Sequence, residues 1–248
     1  MKHFRPRLSR RAFWVLCALL VCLRLALTGF QQAYIWVGGA PLDDELMFRA
    51  ANHITAGQWL GAYDYLTLSK AMFFPVWLAL LHALHLPYLI SGAALWCGAA
   101  LLAAFAFSTL WRKKDPAQGR VLTLGLFAAL AFLPSSWAAY TLRVYRDNIF
   151  PALCLYFFAG MAGMALRAVF TPEKPLWPWL AAAGAGLACG YLDREDAGLF
   201  LLPFAAAATV IVAVVLAGKR RWKALAAQVI PYVMLGVGLL TFCTLNYT

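Results

Sequence analysis

The chain alternates between long apolar runs and short charged stretches, and this alternation limits the folds it can adopt. The apolar runs cover residues 12–33, 88–111, 121–140, 149–166, 177–191, 199–216 and 224–245. A transmembrane α-helix needs about 20 predominantly apolar residues. Of the 248 residues, 64% are hydrophobic and only 12% are charged, which is more apolar surface than a soluble domain needs. The sequence therefore predicts an all-α polytopic membrane protein with about seven transmembrane helices.

The basic residues concentrate in four short stretches between these runs. The stretches cover residues 2–11, 112–120, 167–174 and 219–223. Basic residues in short loops mark the cytoplasmic side of a membrane protein. The net charge of +11 is therefore interpreted as a sign of orientation and of contact with anionic membrane lipids. Nucleic acid is not expected as a partner.

One shorter apolar segment, residues 72–86, decides the predicted topology. If it crossed the membrane, the basic stretch at 112–120 would be external, against the positive-inside rule. If it is a juxtamembrane or re-entrant helix, all four basic stretches are cytoplasmic. We therefore predict seven spans, a cytoplasmic N-terminus, and an external loop at residues 31–86 with juxtamembrane helices. One of these helices is the amphipathic segment at residues 46–57.

Eight of the ten acidic residues lie in three clusters beside the apolar runs. The clusters are Asp43, Asp44 and Glu45 with Asp64; Asp147; and Asp193, Glu195 and Asp196. With seven spans, all three clusters fall on the external side. Carboxylates this close to hydrocarbon are costly unless they face water, a partner or a substrate. Their convergence at one face predicts an active site at the membrane surface.

The first two clusters each allow a structural and a functional interpretation. Asp43 and Asp44 can cap the surface helix and complement its dipole, or one of them can act as a general base. Arg143, Arg146 and Asp147 can anchor a span at the interface. The guanidinium groups of Arg143 and Arg146 can instead hold a phosphate, while Asp147 orients the substrate or acts as a ligand to a metal ion.

The third cluster and two isolated cations have the same two kinds of interpretation. Arg194 and Glu195 stand either in a solvated hairpin tip or in a substrate-binding site. Lys70 is either a snorkelling anchor or a phosphate contact. Arg24 lies inside the first apolar run and receives no functional assignment.

The sequence leaves the cofactor requirement open. A divalent metal ion with Asp147 and a loop acid as ligands is consistent with the residue types, although nothing in the spacing requires it. His82 and His85 could form a two-histidine metal site, but a buried or interfacial polar pair is favoured. The sequence has no P-loop or Rossmann glycine pattern, so no nucleotide cofactor is expected.

Three stretches of the chain, taken together, resemble a known enzyme superfamily. They are PLDDELMFRAANHITAGQWLGAYDYLTLSKAMFFPVWLALLHAL, TLRVYRDNIFPALCL and YLDREDAGLFLLP, within residues 41–203. They resemble the GT-C superfamily of polyprenyl-phosphate-sugar-dependent glycosyltransferases. That superfamily includes protein O-mannosyltransferases, the lipid A aminoarabinose transferase and rhizobial lipopolysaccharide galacturonosyltransferases.

The resemblance implies a helical module of seven spans with a long first external loop. It implies that Asp43 or Asp44 matches the loop acid, Asp147 the second acid, and Lys70 the basic residue near the lipid phosphate. In the aminoarabinose branch the lysine stands between Glu and Pro, whereas Lys70 stands between Ser and Ala. Because family members usually continue into further spans, we expect residues 1–248 to be a single module that lacks a C-terminal portion.

The predicted function is an integral-membrane glycosyltransferase of the bacterial cytoplasmic (inner) membrane. It would transfer a sugar from a polyprenyl-phosphate donor to a hydroxyl of a lipid, glycan or protein acceptor at the periplasmic face. Asp43 or Asp44 would deprotonate the acceptor, and Lys70 with Arg143 or Arg146 would hold the leaving phosphate.

Two alternatives to a glycosyltransferase stay open. The first is a transporter or flippase for a lipid-linked or anionic solute, which would use the same side chains as a binding site. Transporters more often place such residues near the middle of the membrane on broken helices. The second is a non-catalytic fragment that assembles with a partner chain.

Overall fold

The computed structural model describes residues 7–36, 38, 41–62, 70–111 and 115–247, and these form a helical bundle. Across these ranges there is no β-strand; one isolated parallel bridge joins Tyr34 to Arg143. The α-helices, in chain order, are α1 (Arg10–Thr28), α2 (Pro41–Thr55), α3 (Phe73–Ala83), α4 (Tyr88–Ser108), α5 (Pro116–Ala131), α6 (Ala139–Leu142), α7 (Phe150–Phe170), α8 (Trp177–Asp193), α9 (Gly198–Gly218), α10 (Trp222–Ala227) and α11 (Ile230–Tyr247).

The basic stretches that the structure describes meet at one end of the bundle, which we call the basic end. Arg120 at the start of α5 donates to the carbonyl oxygen of Leu8, just before α1, at 2.7 Å. Lys219 after α9 donates to the carbonyl oxygen of Ala168 near the end of α7, at 3.0 Å. Since basic loops mark the cytoplasmic side, their meeting at one end agrees with the charge pattern of the sequence.

The other connections between helices lie at the opposite end of the bundle, which we call the ion-pair end. Tyr88, the first residue of α4, donates to the carbonyl oxygen of Arg143 at 2.8 Å. Trp59, after α2, donates to the side-chain oxygen of Asn246 near the end of α11 at 2.9 Å. In the described part of the chain, α1, α4, α5, α7, α8, α9 and α11 therefore run alternately between the two ends.

The short helix α3 does not run from one end of the bundle to the other. Its 11 residues measure about 16 Å at 1.5 Å per residue. The backbone N–H of Ala71, just before α3, donates to Glu195, and Tyr88, just after it, bonds to Arg143. Because both flanks of α3 contact the ion-pair end, the helix begins and finishes on the same side. That this helix is a juxtamembrane or re-entrant segment stays a prediction.

Within the described ranges, five helical segments are long and apolar enough to cross a membrane. They are Arg10–Thr28, Tyr88–Ser108, Phe150–Phe170, Glu195–Gly218 and Trp222–Asn246. The chain is thus all-helical and compatible with a multi-pass membrane protein. The bundle helices α5 and α8 have 16 and 17 residues and are shorter than these candidates. These five segments are candidate spans, and the total of about seven spans stays a prediction.

The core of the bundle is built on a close approach of α7 and α8. A Cβ atom added to Gly160 would lie 2.7 Å from the carbonyl oxygen of Trp179, and one added to Gly186 would lie 2.7 Å from that of Leu153. Such distances leave no room for any side chain, so the two backbones pack directly together. Around this contact, buried large side chains such as Phe157 complete the main apolar cluster.

The predicted span at residues 121–140 is shifted and shorter in the structure. The run at residues 121–140 was expected to be a single helix, but α5 covers Pro116–Ala131. It begins earlier because the Asp115 side chain accepts hydrogen bonds from the N–H groups of Ala117 and Gln118, capping the helix. It finishes earlier because Pro134 restricts the residue before it to extended backbone. Residues 134–137 form a 3₁₀ turn instead, and the prediction of one continuous helix over 121–140 was wrong.

Candidate active site

The three acidic clusters meet at the ion-pair end and are joined by ion pairs. Helix α2 carries the first cluster, the segment between α6 and α7 the second, and the junction of α8 and α9 the third. The pairs are Asp43 with Lys70, Asp44 with Arg143, Arg146 with Glu195, and Arg194 with both Asp147 and Asp196. Asp64, which the sequence placed with the first cluster, lies outside the described residues. Side chains distant in sequence thus form one continuous polar network.

Asp44 and Arg143 form the buried centre of this network. The Nε of Arg143 lies 3.0 and 3.3 Å from the two carboxylate oxygens of Asp44, and its Nη2 donates to Oδ1. The backbone N–H of Trp36 donates to Oδ2 at 2.7 Å. The guanidinium carbon also lies 4.3 Å from the ring centre of Tyr145. Both oxygens of Asp44 are therefore engaged by the protein, and this carboxylate fastens α2 to the segment before α7.

Asp43 lies next to Asp44 but is accessible. Its side chain is 35% exposed and 3.7 Å from the amine of Lys70, which is itself 31% exposed. The hydroxyl of Tyr145 donates to Asp43 at 3.3 Å. Burial raises the pKa of Tyr145 above its usual range, so this hydroxyl stays protonated at neutral pH and remains a donor. Of the two adjacent acids, Asp43 is the one that a substrate could reach.

Arg146 and Glu195 connect the start of α3 to the third cluster. The buried Arg146 donates from Nη1 to Glu195 at 2.8 Å and to the carbonyl oxygen of Asp193 at 3.1 Å. Glu195 also accepts from the backbone N–H of Ala71. These bonds hold Lys70, the residue before Ala71, beside the junction of α8 and α9. The contacts of Arg146 are internal to the protein, so its geometry suits positioning better than direct contact with a phosphate.

Arg194 is the most accessible of the three predicted substrate-binding arginines. Its Nη1 lies 3.1 Å from Asp147, and its Nε lies 3.2 Å from Asp196. The guanidinium carbon is 5.0 Å from the ring centre of Phe150 at the start of α7. Arg194 and Asp147 are each partly exposed at the rim of the network. They therefore differ from Arg143 and Arg146, which are buried.

A cavity of about 330 Å³ opens beside the network. Its lining consists of Lys70, Ala71, Met72, Tyr191, Leu192, Glu195 and Phe242. The charged groups belong to two of these residues, and the rest of the wall is largely apolar. Such a combination suits a ligand with a charged group at one end and hydrocarbon at the other.

Comparison of the chain with protein-family models, with curated proteins and with solved structures gives no match in any of the three. The resemblance to the GT-C superfamily therefore stays a prediction.

The described residues do not form an evident metal site. No group of three or more His, Cys, Asp or Glu side chains in these ranges is placed to hold a metal ion. Asp147, the ligand that the sequence left possible, is bonded to Arg194 at 3.1 Å. The divalent metal ion itself stays a prediction.

Sequence reasoning missed several residues of the site. Phe242 and Leu192 line the cavity. Phe242 lies on α11, which has the composition of any lipid-facing helix, so nothing in the sequence pointed to it. Tyr145, which the sequence analysis did not single out, contacts Asp43 and Arg143. Asp193 is fully buried, and neither of its carboxylate oxygens has a partner among the residues that the structure describes. Its place in a dense acidic cluster suggested exposure instead.

Proposed function

We propose that this protein is an integral-membrane glycosyltransferase of the GT-C type, which transfers a sugar from a polyprenyl-phosphate donor to an acceptor hydroxyl. The observation that carries the proposal is the accessible pair of Asp43 and Lys70 next to the cavity with an apolar wall. The amine suits the phosphate of such a donor, and the apolar wall suits its polyprenyl chain. The carboxylate beside the amine suits the acceptor hydroxyl.

In the proposed reaction, the acceptor oxygen attacks the anomeric carbon of the donor sugar. A carbon–oxygen bond forms there, and the bond between that carbon and the phosphate oxygen breaks. The proton of the acceptor goes to Asp43, and the electron pair of the broken bond leaves with the phosphate. Lys70 stabilises the charge that develops on this phosphate. A single displacement of this kind inverts the anomeric configuration.

The remaining polar residues position these two groups. Asp44 and Arg143 fix the first turn of α2, which carries Asp43. Arg146 and Glu195 fix the segment that carries Lys70. Holding two substrates and a base in a fixed geometry can supply much of an enzyme's rate acceleration. Arg194 is placed to contact the donor or the acceptor from the rim.

We also propose a seven-span topology with a cytoplasmic N-terminus, in a bacterial cytoplasmic membrane. The five long apolar helices and the shorter α5 and α8 would be the spans. Support comes from the basic end, where Arg120 donates to the segment before α1 and Lys219 donates to the end of α7. Under the positive-inside rule that end is cytoplasmic, and Asp43 and Lys70 then face the periplasm. The donor at this face would be a polyprenyl-phosphate-linked sugar, and the acceptor a lipid, a glycan or a protein.

A transfer assay on two matched variants tests the proposal. Purified wild type, Asp43→Asn and Asp115→Asn are reconstituted with polyprenyl-phosphate-linked sugars and candidate acceptors. Asp115 lies at the basic end, and Asn caps a helix about as well as Asp, so this control makes the same chemical change away from the site. Asp43→Asn should reduce turnover about 100- to 10,000-fold, the usual contribution of a general base. The control should keep wild-type turnover.

Two results would contradict the proposal. One is wild-type turnover in a folded Asp43→Asn variant, because the base would then be elsewhere. The other is a wild-type protein that moves a lipid-linked donor across the bilayer without forming product, which would favour the transporter or flippase alternative.

A further inference from the structure

A second polar cavity lies between α1, α4 and the segment that leads into α7. It has a volume of about 40 Å³ and is lined by residues of α1 and just after it, of the first half of α4, and of the segment from 135 to 151. It shares no lining residue with the cavity at Lys70. One ordered water needs about 10–15 Å³ by this kind of measure, so the space can hold a group larger than water.

Arg24 of α1 is the feature that makes this cavity unusual. The residue is only 3% exposed. One terminal nitrogen donates to the carbonyl oxygen of Ser136 at 2.7 Å, and the guanidinium carbon lies 3.4 Å from the ring centre of Trp137. The other two nitrogens, Nε and Nη1, are buried and have no partner in the described part of the chain. None of the described residues lining the cavity is acidic, so a buried cation faces a polar space without a counter-ion.

Asn148 supplies a complementary group in the same lining. Its amide nitrogen donates to the carbonyl oxygen of Thr141 at 2.8 Å, which orients the amide. Its side-chain oxygen is buried and accepts from no group of the described ranges. Gly92 of α4 lies directly against this amide, and any added Cβ atom would collide with it. The cavity therefore offers unpaired donors on Arg24 and an unpaired acceptor on Asn148.

A buried unpaired cation is costly, and an oxyanion that also carries a hydroxyl group would satisfy both sets of atoms. A lipid phosphate whose headgroup carries a hydroxyl has this chemistry, as does a free hydrogen phosphate ion, and arginine is well suited to bind either. The position of the site along α1, close to the end of the helix, fits the depth of a lipid headgroup. Arg24 stands four residues before the end of α1 at Thr28, which is about 6 Å along the helix. Exposed Ser135 and Tyr140 at the rim leave an approach from outside.

We propose that this cavity is a phosphate-binding site. Arg24 binds the anionic oxygens, and Asn148 accepts a hydrogen bond from a hydroxyl of the bound group. The site is distinct from the proposed transfer site, and its occupancy does not depend on whether the protein transfers sugar.

Ligand-dependent thermal unfolding tests this proposal without any enzymatic assay. Wild type, Arg24→Gln and Arg11→Gln are purified in detergent and titrated with inorganic phosphate, short-chain phosphatidylglycerol and short-chain phosphatidylcholine. Arg11 lies on the same helix at the exposed basic end, so its variant loses the same charge elsewhere. A ligand that binds only the folded protein raises the unfolding temperature in a saturable manner. The apparent Kd follows from the concentration dependence.

The expected result is a saturable rise with phosphatidylglycerol in wild type and Arg11→Gln that is absent in Arg24→Gln. If inorganic phosphate produces the same Arg24-dependent rise, the ligand is the free ion; if only the lipid does, it is the headgroup. Phosphatidylcholine has no free hydroxyl and should bind at least about tenfold more weakly, because one hydrogen bond to Asn148 is lost.

A second variant covers the case in which Arg24→Gln does not fold. Arg24→Lys keeps the charge but loses the planar set of donors, and its apparent Kd should be about tenfold weaker than that of wild type. The proposal is overturned if the unfolding temperature of wild type shows no saturable rise with either inorganic phosphate or phosphatidylglycerol. It is equally overturned if the folded Arg24 variants respond like wild type.

Discussion

Asp44 and Arg143 form a buried ion pair that joins α2 to the segment before α7, across 99 positions of sequence. The carboxylate accepts from two nitrogens of the arginine and from the N–H of Trp36. Breaking a buried pair by removing one charge leaves the other charge uncompensated, which is more damaging than the loss of the attraction itself. The neighbouring Asp43 is held in place by this pair but keeps its own carboxylate accessible.

Replacing Asp44 with Asn should therefore destabilise the protein strongly. The substitution keeps the shape of the side chain but leaves the Arg143 guanidinium buried without its counter-ion, at a cost of about 3–5 kcal/mol. Thermal unfolding in detergent measures the effect against Asp115→Asn, whose site at the basic end accepts either residue as a cap. Equal unfolding temperatures for the two variants would mean that the pair has no structural role.

Asp193→Asn should have the opposite outcome. Asp193 is fully buried at the end of α8, and both carboxylate oxygens are without a partner among the described residues. An ionised carboxylate in that environment is costly, whereas Asn has nearly the same shape and no charge. We expect the variant to unfold at the same temperature as wild type or higher at neutral pH. A large drop in its unfolding temperature would show that the Asp193 charge is paired.

The contact between α7 and α8 should not tolerate a methyl group. In Gly186→Ala, the new Cβ would lie about 2.7 Å from the backbone oxygen of Leu153, and only separation of the helices relieves the clash. Overpacking of this kind costs about 1–3 kcal/mol. Gly236→Ala in α11 is the matched control, since nothing lies within 4 Å of its added Cβ. Unfolding temperatures of the two variants should differ, with Gly186→Ala lower; similar values would argue against close packing at Gly186.

The two ends of the bundle should face opposite sides of the membrane. Single cysteines replace Asp196 at the ion-pair end and Lys223 at the basic end, in a background where the six native cysteines are removed. A membrane-impermeant thiol reagent added outside intact cells should label the first position only, because the positive-inside rule places the basic end in the cytoplasm. Labelling of both positions from one side would refute the alternating arrangement of the bundle helices.

The sequence predicted the helical class because long apolar runs can satisfy their backbone in hydrocarbon only as helices or closed barrels. It located the ends of helices less well. The run at 121–140 is continuous in hydropathy, but Asp115 starts α5 early and the chain leaves the helix before Pro134. Capping and proline effects act on single residues, and an average over an apolar window does not detect them.

The charge pattern by itself determined that the basic stretches and the acidic clusters would separate to two ends, because short basic loops and costly intramembrane carboxylates each favour one side. Which carboxylate is available was decided only by the tertiary structure. Asp43 and Asp44 are neighbours of the same type, but consecutive residues on a helix point about 100° apart. Packing of α2 turns Asp44 toward Arg143 and leaves Asp43 beside Lys70. The local sequence does not determine which of the two acids is accessible, because that depends on the partner of Asp44, which is 99 positions away.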